Sequence, residues 1–188
     1  MKRESKMKFV PLEEAHIPEL LKIADAELGE NYLAAEYLAK VINDKSKIVL
    51  VAIKGVKVSG FGLASILTGP ELRAKLLKGS EQLPEFAGRI GLIDNVAIKE
   101  DKKGLGIGSN IVEKLISELK QKGIKEFASV AWVPANETKS NLGNILEKNG
   151  IPFGYNVENY WTDDSLAKGY DCPLCGIHCA CSANIHFA

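Results

Sequence analysis

The sequence predicts an α/β (α+β) protein: a mixed sheet with helices on both faces, followed by a small C-terminal metal-binding tail. Three observations predict it. Apolar, β-branched runs and stretches of helical periodicity follow one another in the order β-α-α-β-β-β-α-β-α-β. A glycine-rich turn, Lys103–Ser109, joins one of those strands to a helix. All four cysteines fall between positions 172 and 181.

Met7–Leu12 reads as a first strand, and Pro18 suits the first turn of a helix carrying Leu20, Leu21, Ile23 and Ala24 inward. A second helix is expected from about Glu30 to Ile42, with Leu33, Tyr37, Leu38 and Val41 at helical spacing. The run Lys47–Lys54 turns at Gly55–Val56–Lys57 into a second run through Leu67, a β-hairpin. Thr68–Arg89 breaks the pattern with Gly69, Pro70, Gly79 and Pro84. It is read as one short helix around Glu71–Leu77 within either a lid or binding loop or a plain surface insertion. Ile90–Ile98 is the next strand. After the glycines, Ile111, Val112, Leu115, Ile116 and Leu119 form one helical face, closed by Gly123. Ile124–Trp132, Glu137–Asn149 and Ile151–Trp161 follow as strand, helix and last strand. The expected division is a domain over residues 1–161 and a cysteine-rich tail over 162–188.

The 188 residues suffice for one well-cored domain with an appendage. Lys and Arg together number 24, as do Asp and Glu, so net charge is zero. That balance argues against an obligate nucleic-acid or anionic-membrane partner. No run approaches the roughly 18 apolar residues of a bilayer span. The opening MKRESKMKFV has no apolar run behind it, unlike a secretory signal. A cytoplasmic location, where thiols stay reduced, is the expectation. Cysteines gathered at one end point to a metal rather than to a disulfide framework.

The turn itself reads Lys103-Gly104-Leu105-Gly106-Ile107-Gly108-Ser109. Glycine admits positive φ and lets a ligand approach the backbone. The first N–H groups of the following helix lack intrahelical partners, and the helix dipole makes that end positive, so an anion is bound there. A Walker A loop needs Gly-Lys-Ser/Thr, which is missing. A dinucleotide fingerprint needs GxGxxG near the first strand, whereas these glycines alternate after the fourth.

Ile93-Asp94-Asn95-Val96-Ala97-Ile98, a short charged loop and then Lys103-Gly-Leu-Gly-Ile-Gly resembles motif A of the GNAT superfamily of N-acetyltransferases. That pattern is Arg or Gln, two residues, Gly, one residue, then Gly or Ala; Lys103, Gly106 and Gly108 stand in those places. Leu142 and Ile145–Ile151 resemble the family's helix leading to its EKxGF ending. The resemblance covers roughly residues 7–161 and implies a mostly antiparallel GNAT sheet. It implies that Lys103, Gly104, Leu105, Gly106, Ile107, Gly108 and Ser109 hold the pyrophosphate of acetyl-CoA. The pantetheine arm would pair with the backbone near Val96 and Ile98. It implies direct attack of an unidentified amine acceptor on the thioester, with Asp94 as candidate base. Many members carry a tyrosine proton donor where this chain has Leu146. Tyr155 or Tyr160 is then the substitute donor, or water protonates the thiolate, or the module binds acyl-CoA without turning it over. The family's acceptor region maps onto Glu27, Glu30, Asn31 and Tyr32.

In the tail, Cys172 and Cys175 form Cys-x2-Cys in the zinc-knuckle form Cys-Pro-x-Cys-Gly, and Cys179 and Cys181 form Cys-x-Cys. Zinc held by these four is the expectation, with His178 or His186 as alternate ligands and free thiols or an iron–sulfur cluster as other readings. A tail this short needs a metal to stay folded. It covers a surface of the main domain or presents a site to a partner; a protein partner or homodimer is open.

Overall fold

The computed structural model describes residues 6–169 and 171–188. Its elements are β1 (Met7–Pro11), α1 (Ile17–Glu27), α2 (Ala35–Val41), β2 (Lys47–Lys54), β3 (Lys57–Leu67), α3 (Gly69–Lys75) and β4 (Ile90–Ile98). They continue with α4 (Ile107–Gln121), β5 (Glu126–Val133), α5 (Asn141–Lys148), β6 (Phe153–Val157), α6 (Thr162–Lys168) and β7 (Ser182–Phe187). One sheet runs in the order β1-β2-β3-β4-β5-β7-β6. Its strand pairs are antiparallel except β4–β5.

Burial of β2 on both faces explains its unbroken apolar run. Successive side chains of a strand point to opposite faces, and β2 divides accordingly. Ile48, Leu50 and Ala52 pack with α4 residues Ile111, Val112, Leu115 and Ile116. Val49 and Val51 pack with Leu20, Ile23 and Leu38 of α1 and α2. Gly62 of β3 lets α4 approach the sheet: a Cβ there would meet Ile111 Cγ2 at 2.3 Å and Leu115 Cδ1 at 3.0 Å. The two-faced architecture read from the sequence is therefore present.

Several boundaries differ, each for a local reason. The second helix begins at Ala35 rather than near residue 30, because Gly29 (φ 129°) and Asn31 (φ 63°) leave helical conformation. α5 begins at Asn141, where the Ser140 hydroxyl caps the helix by accepting from the Gly143 amide at 3.1 Å. The last expected strand is shorter, Phe153–Val157. Two elements were absent from the sequence reading, α6 and β7. β7 lies between β5 and β6, so the C-terminal residues complete the sheet, and residue 161 does not mark a break in it. The cysteines therefore occupy the connection between two adjacent strands.

Segment 68–89 is strapped to the sheet. Thr68 and Glu71 form a capping box at α3. The Arg73 guanidinium donates to the carbonyls of Ser80 (2.6 Å), Leu83 (3.0 Å) and Pro84 (2.9 Å). Leu72, Leu76 and Leu83 are buried against Ile90, Leu92 and Ile185. These contacts make it a packed wall rather than a free lid.

β4 and β5 pair only from Ile90↔Glu126 to Ile93↔Ser129. The Ser129 hydroxyl donates to the Ile93 carbonyl at 2.9 Å at that last pair. Beyond it β4 continues to pair with β3 alone, and β5 with β7. The two strands diverge, and the functional cleft opens in the fork.

Candidate active site: a cleft between diverging strands

The cleft encloses about 600 Å³. One wall is β4 from Asp94 to Ile98 with the turn Lys102–Ser109. The opposite wall is Val130, Trp132 and Pro134, with Leu142 and Ile145 from α5. Glu27, Leu28 and Tyr32 close it from the α1 side, and Trp161, Cys172, Pro173 and Cys179 from the C-terminal side.

The turn is shaped by backbone, not by side-chain packing. Gly106 is the residue before the first turn of α4 and has φ 74°, a conformation that favours glycine. Having no side chain, it caps none of the first helical amides. Gly108 lies inside the helix at ordinary φ, and a Cβ there would make only ordinary contacts, 3.7 Å to Ile98 and 3.8 Å to Ile145. Folding does not require glycine at that place; it keeps the helix end open to the cleft. The Lys103 ammonium pairs with Glu27 at 2.7 Å and with Glu100. Burial lowers the Lys103 pKa, but these two carboxylates outweigh it and hold the group above its ordinary value.

Register between β3 and β4 shifts at Leu63/Ala64, because Asp94 is an extra residue between Ile93 and Asn95. The Asp94 carboxylate meets Lys75 Nζ at 2.7 Å and accepts from the Ser65 hydroxyl. Lys47 Nζ donates to the same hydroxyl at 2.7 Å, and burial lowers its pKa. Tyr32 and Asn95 both line the cleft, and burial raises the Tyr32 phenol above the ordinary tyrosine range.

Among the site residues expected from sequence, the cleft gathers Asp94, Val96, Ile98, Lys103, Gly104, Gly106, Ile107, Gly108, Ser109, Cys172 and Cys179. Leu105 sits exposed at the tip of the turn. Tyr155 and Tyr160 lie outside the lining. The Tyr155 hydroxyl donates to the Gly79 carbonyl at 2.6 Å, and the Tyr160 hydroxyl accepts from the Leu77 amide at 3.0 Å. Burial pushes the Tyr160 phenol up to about 12. Leu146 is wholly buried in the α4-side core. Of the acceptor candidates, Glu27 and Tyr32 line the cleft; Glu30 forms a backbone bridge with Asp171, and the Asn31 amide donates to Asp25 at 3.1 Å. Sequence reasoning missed Trp132, Trp161 and Asn95. Each is one residue in an otherwise apolar or polar stretch, with no motif to mark it.

The sulfurs of Cys172, Cys175, Cys179 and Cys181 all lie within 4.8 Å of one another, and none of the four is in a disulfide. Gly176 (φ 71°) turns the chain so that Cys172 and Gly176 exchange backbone hydrogen bonds. The Trp132 ring packs against Cys172, Cys179 and Cys181. Burial pushes the Cys179 thiol up to about 11 and raises Cys181 further. Burial also raises Cys175, but the Ala180 amide and neighbouring sulfurs outweigh it, leaving that thiol below its ordinary value. Four thiolates this close match the closed tetrahedral donor set of a structural zinc site. His178 and His186 stand outside the group. His186 is buried on β7, its Nδ1 3.2 Å from the Ile151 carbonyl, and burial lowers its pKa.

Residues 16–141 match the model of the acetyltransferase (GNAT) family. This chain belongs to the GNAT family. The matched span includes the β4 wall of the cleft and the glycine turn. No curated protein sequence matches the chain significantly. Solved structures with the same fold include the ribosomal-protein-S18-alanine N-acetyltransferase of Escherichia coli. It has 16% identity and TM-score 0.63, covering 97% of this chain and 92% of that one. Ard1 of Thermoplasma volcanium has 12% identity and TM-score 0.65, covering 97% and 96%. Arabidopsis thaliana NAA60, solved with acetyl-CoA, has 12% identity and TM-score 0.67, covering 97% and 98%. At these identities the likeness is one of fold. No helix among the described residues is long and apolar enough to cross a membrane.

Proposed function

We propose that the chain is an acetyl-CoA-dependent N-acetyltransferase acting on a primary amine. The observation that carries this reading is the uncapped start of α4, opening on the cleft at Gly106–Ser109. Its amides suit a pyrophosphate, and the room left at Gly108 suits a ligand in contact with the backbone. The pantetheine arm runs beside Val96 and Ile98 into the fork.

The amine attacks the thioester carbonyl, forming the C–N bond; the C–S bond then breaks and CoA leaves as its thiolate. A neutral amine is needed, and an alkyl amine has a pKa near 10.4, so a proton must go to a base. Asp94 is the candidate on the cleft wall, held in place by Lys75 and Ser65. Tyr32, kept protonated by burial, is the candidate donor to the departing thiolate. Tyr155 and Tyr160 spend their hydroxyls fastening segment 77–79. In the same reading Cys172, Cys175, Cys179 and Cys181 hold one zinc ion in a structural role, with Trp132 packed over them.

A thiol-release assay across pooled small amines and peptides tests the reading; amine-dependent release of CoA is the expected result. A second reading, an acyl-CoA-binding module without turnover, draws on Leu146 in the core and on two tyrosines engaged elsewhere. Acetyl-CoA binding with no acetylated product from any pool would favour it.

A further inference from the structure

The cysteine loop does more than end the chain. Cys172, Pro173 and Cys179 line the same cleft as the glycine turn, at the end away from it, beside Trp132, Trp161 and Tyr32. The loop packs on a small cluster of its own: Cys172, Cys179 and Cys181 against Trp132, Trp161 and Cys175. Leu174 and Ile177, its larger apolar side chains, are exposed and give it no core. What fixes its shape is the ring of four sulfurs and a few polar ties. Ser165 donates to the Ile177 carbonyl at 2.7 Å, Thr162 donates to the Cys179 carbonyl, and the Tyr160 amide donates to the Cys181 carbonyl at 3.1 Å. The bridge between Glu30 and Asp171 joins the loop to the α1–α2 connection that carries Tyr32. Two walls of the acceptor end are thereby tied at one place.

We propose that metal loading of the four-cysteine site builds the acceptor end of the cleft, making acceptor binding metal-dependent while coenzyme binding is not. The inference rests on the transferase reading and on metal binding by the cysteines. With Leu174 and Ile177 exposed the loop has no core of its own, and a cation shared by the four sulfurs is what holds it closed. Closure sets Cys172, Pro173 and Cys179 against Trp132 and Trp161, and through Asp171 it positions Glu30 and so Tyr32. Among the described residues the turn at Gly104–Ser109 is held by α4 and by Lys103–Glu27, with no direct hydrogen bond or ion pair to the cysteine loop. Metal supply would then switch the acceptor site and leave the chain loaded with its acyl donor.

The chain carries its own reporter. Its two tryptophans, Trp132 and Trp161, both line the cleft and both pack on the cysteines. The experiment strips metal from the full-length reduced protein with a chelator and returns Zn²⁺ stepwise. Tryptophan emission, amide exchange and acetyl-CoA affinity are followed together. Expected are an emission change that saturates at a single ion per chain and slower exchange at residues 30–32 and 171–181 on loading. Acetyl-CoA affinity stays unchanged. Trp132→Phe, which shrinks the ring packed on the cysteines, should weaken Zn²⁺ binding about tenfold. Cys175→Ser should leave those amides fast at any Zn²⁺ level while acetyl-CoA still binds. Emission and exchange indifferent to Zn²⁺ would overturn the inference, as would acetyl-CoA affinity lost in parallel with the metal. A chain that takes up no metal sinks it together with the zinc assignment. Acetyl-CoA that binds neither form sinks the transferase reading instead, an outcome separable because the Zn²⁺ titration reads the loop alone.

Discussion

The ammonium of Lys75 lies 2.7 Å from the Asp94 carboxylate, and the two side chains are 42% and 5% exposed. α3 thus reaches across the sheet surface to neutralise a carboxylate that the β4 irregularity turns toward the cleft. Lys75→Met leaves the buried Asp94 carboxylate with the Ser65 hydroxyl as its donor. Loss of one partner from a buried pair costs about 3–5 kcal/mol; the half-exposed lysine places this one near or below the low end. Urea denaturation should show a loss of about 2–3 kcal/mol. Adding Asp94→Asn should restore most of it, and a single variant as stable as the parent would refute the pairing.

Gly108 separates ligand from fold. Replacing it with alanine meets ordinary contacts at 3.7 and 3.8 Å, and alanine exceeds glycine in helix propensity by about 1 kcal/mol. Gly108→Ala should therefore be as stable as the parent or up to about 1 kcal/mol more so. The added methyl faces the cleft, so acetyl-CoA should bind markedly more weakly by calorimetry. Unchanged affinity would remove the turn from the cofactor site.

That turn was legible in the sequence because its physics is local: positive φ at glycine and free amides at a helix start need no distant partner. The continuous apolar run of β2 was legible as well, because a strand buried on both faces shows no polar alternation. β7 was not. Ser182–Phe187 sets Ala183, Ile185 and Phe187 on one face and a buried His186 on the other, and its pairing with β5 and β6 is decided by strands outside its own stretch of sequence. Without β7, the cysteines looked like a trailing tail, and their place on the cleft wall could not be seen. Tyr155 and Tyr160 were drawn toward the site by residue type, whereas their hydroxyls are taken by the backbone of segment 77–79.

Tyr160 sets an alkaline limit on stability. Burial raises its pKa from 10.0 to about 12. An unfolded tyrosine releases its proton near 10, whereas the native state keeps it, so the native state binds more protons between 10 and 12. Stability is then fully present below 10 and falls as pH rises to 12, by about 2–3 kcal/mol. Tyr160→Phe should lose about 1 kcal/mol at neutral pH with the Leu77 hydrogen bond. It should also show a shallower fall above pH 10; the same slope as the parent would assign the limit to another group.

Tyr32→Phe tests the proton donor. A positioned acid contributes about a hundredfold or more, so kcat should fall by about a hundredfold while acetyl-CoA affinity holds. Retention of full kcat would hand the thiolate's proton to water.

The central claim is acetyl transfer to nitrogen, and its most direct test is mass spectrometry of products formed from isotope-labelled acetyl-CoA and a pooled library of amines and peptides. The account predicts label on an amine nitrogen, formed by the parent chain and strongly reduced in Gly108→Ala. Labelled acetate alone, or bound acetyl-CoA with no labelled amine in any pool, would contradict it.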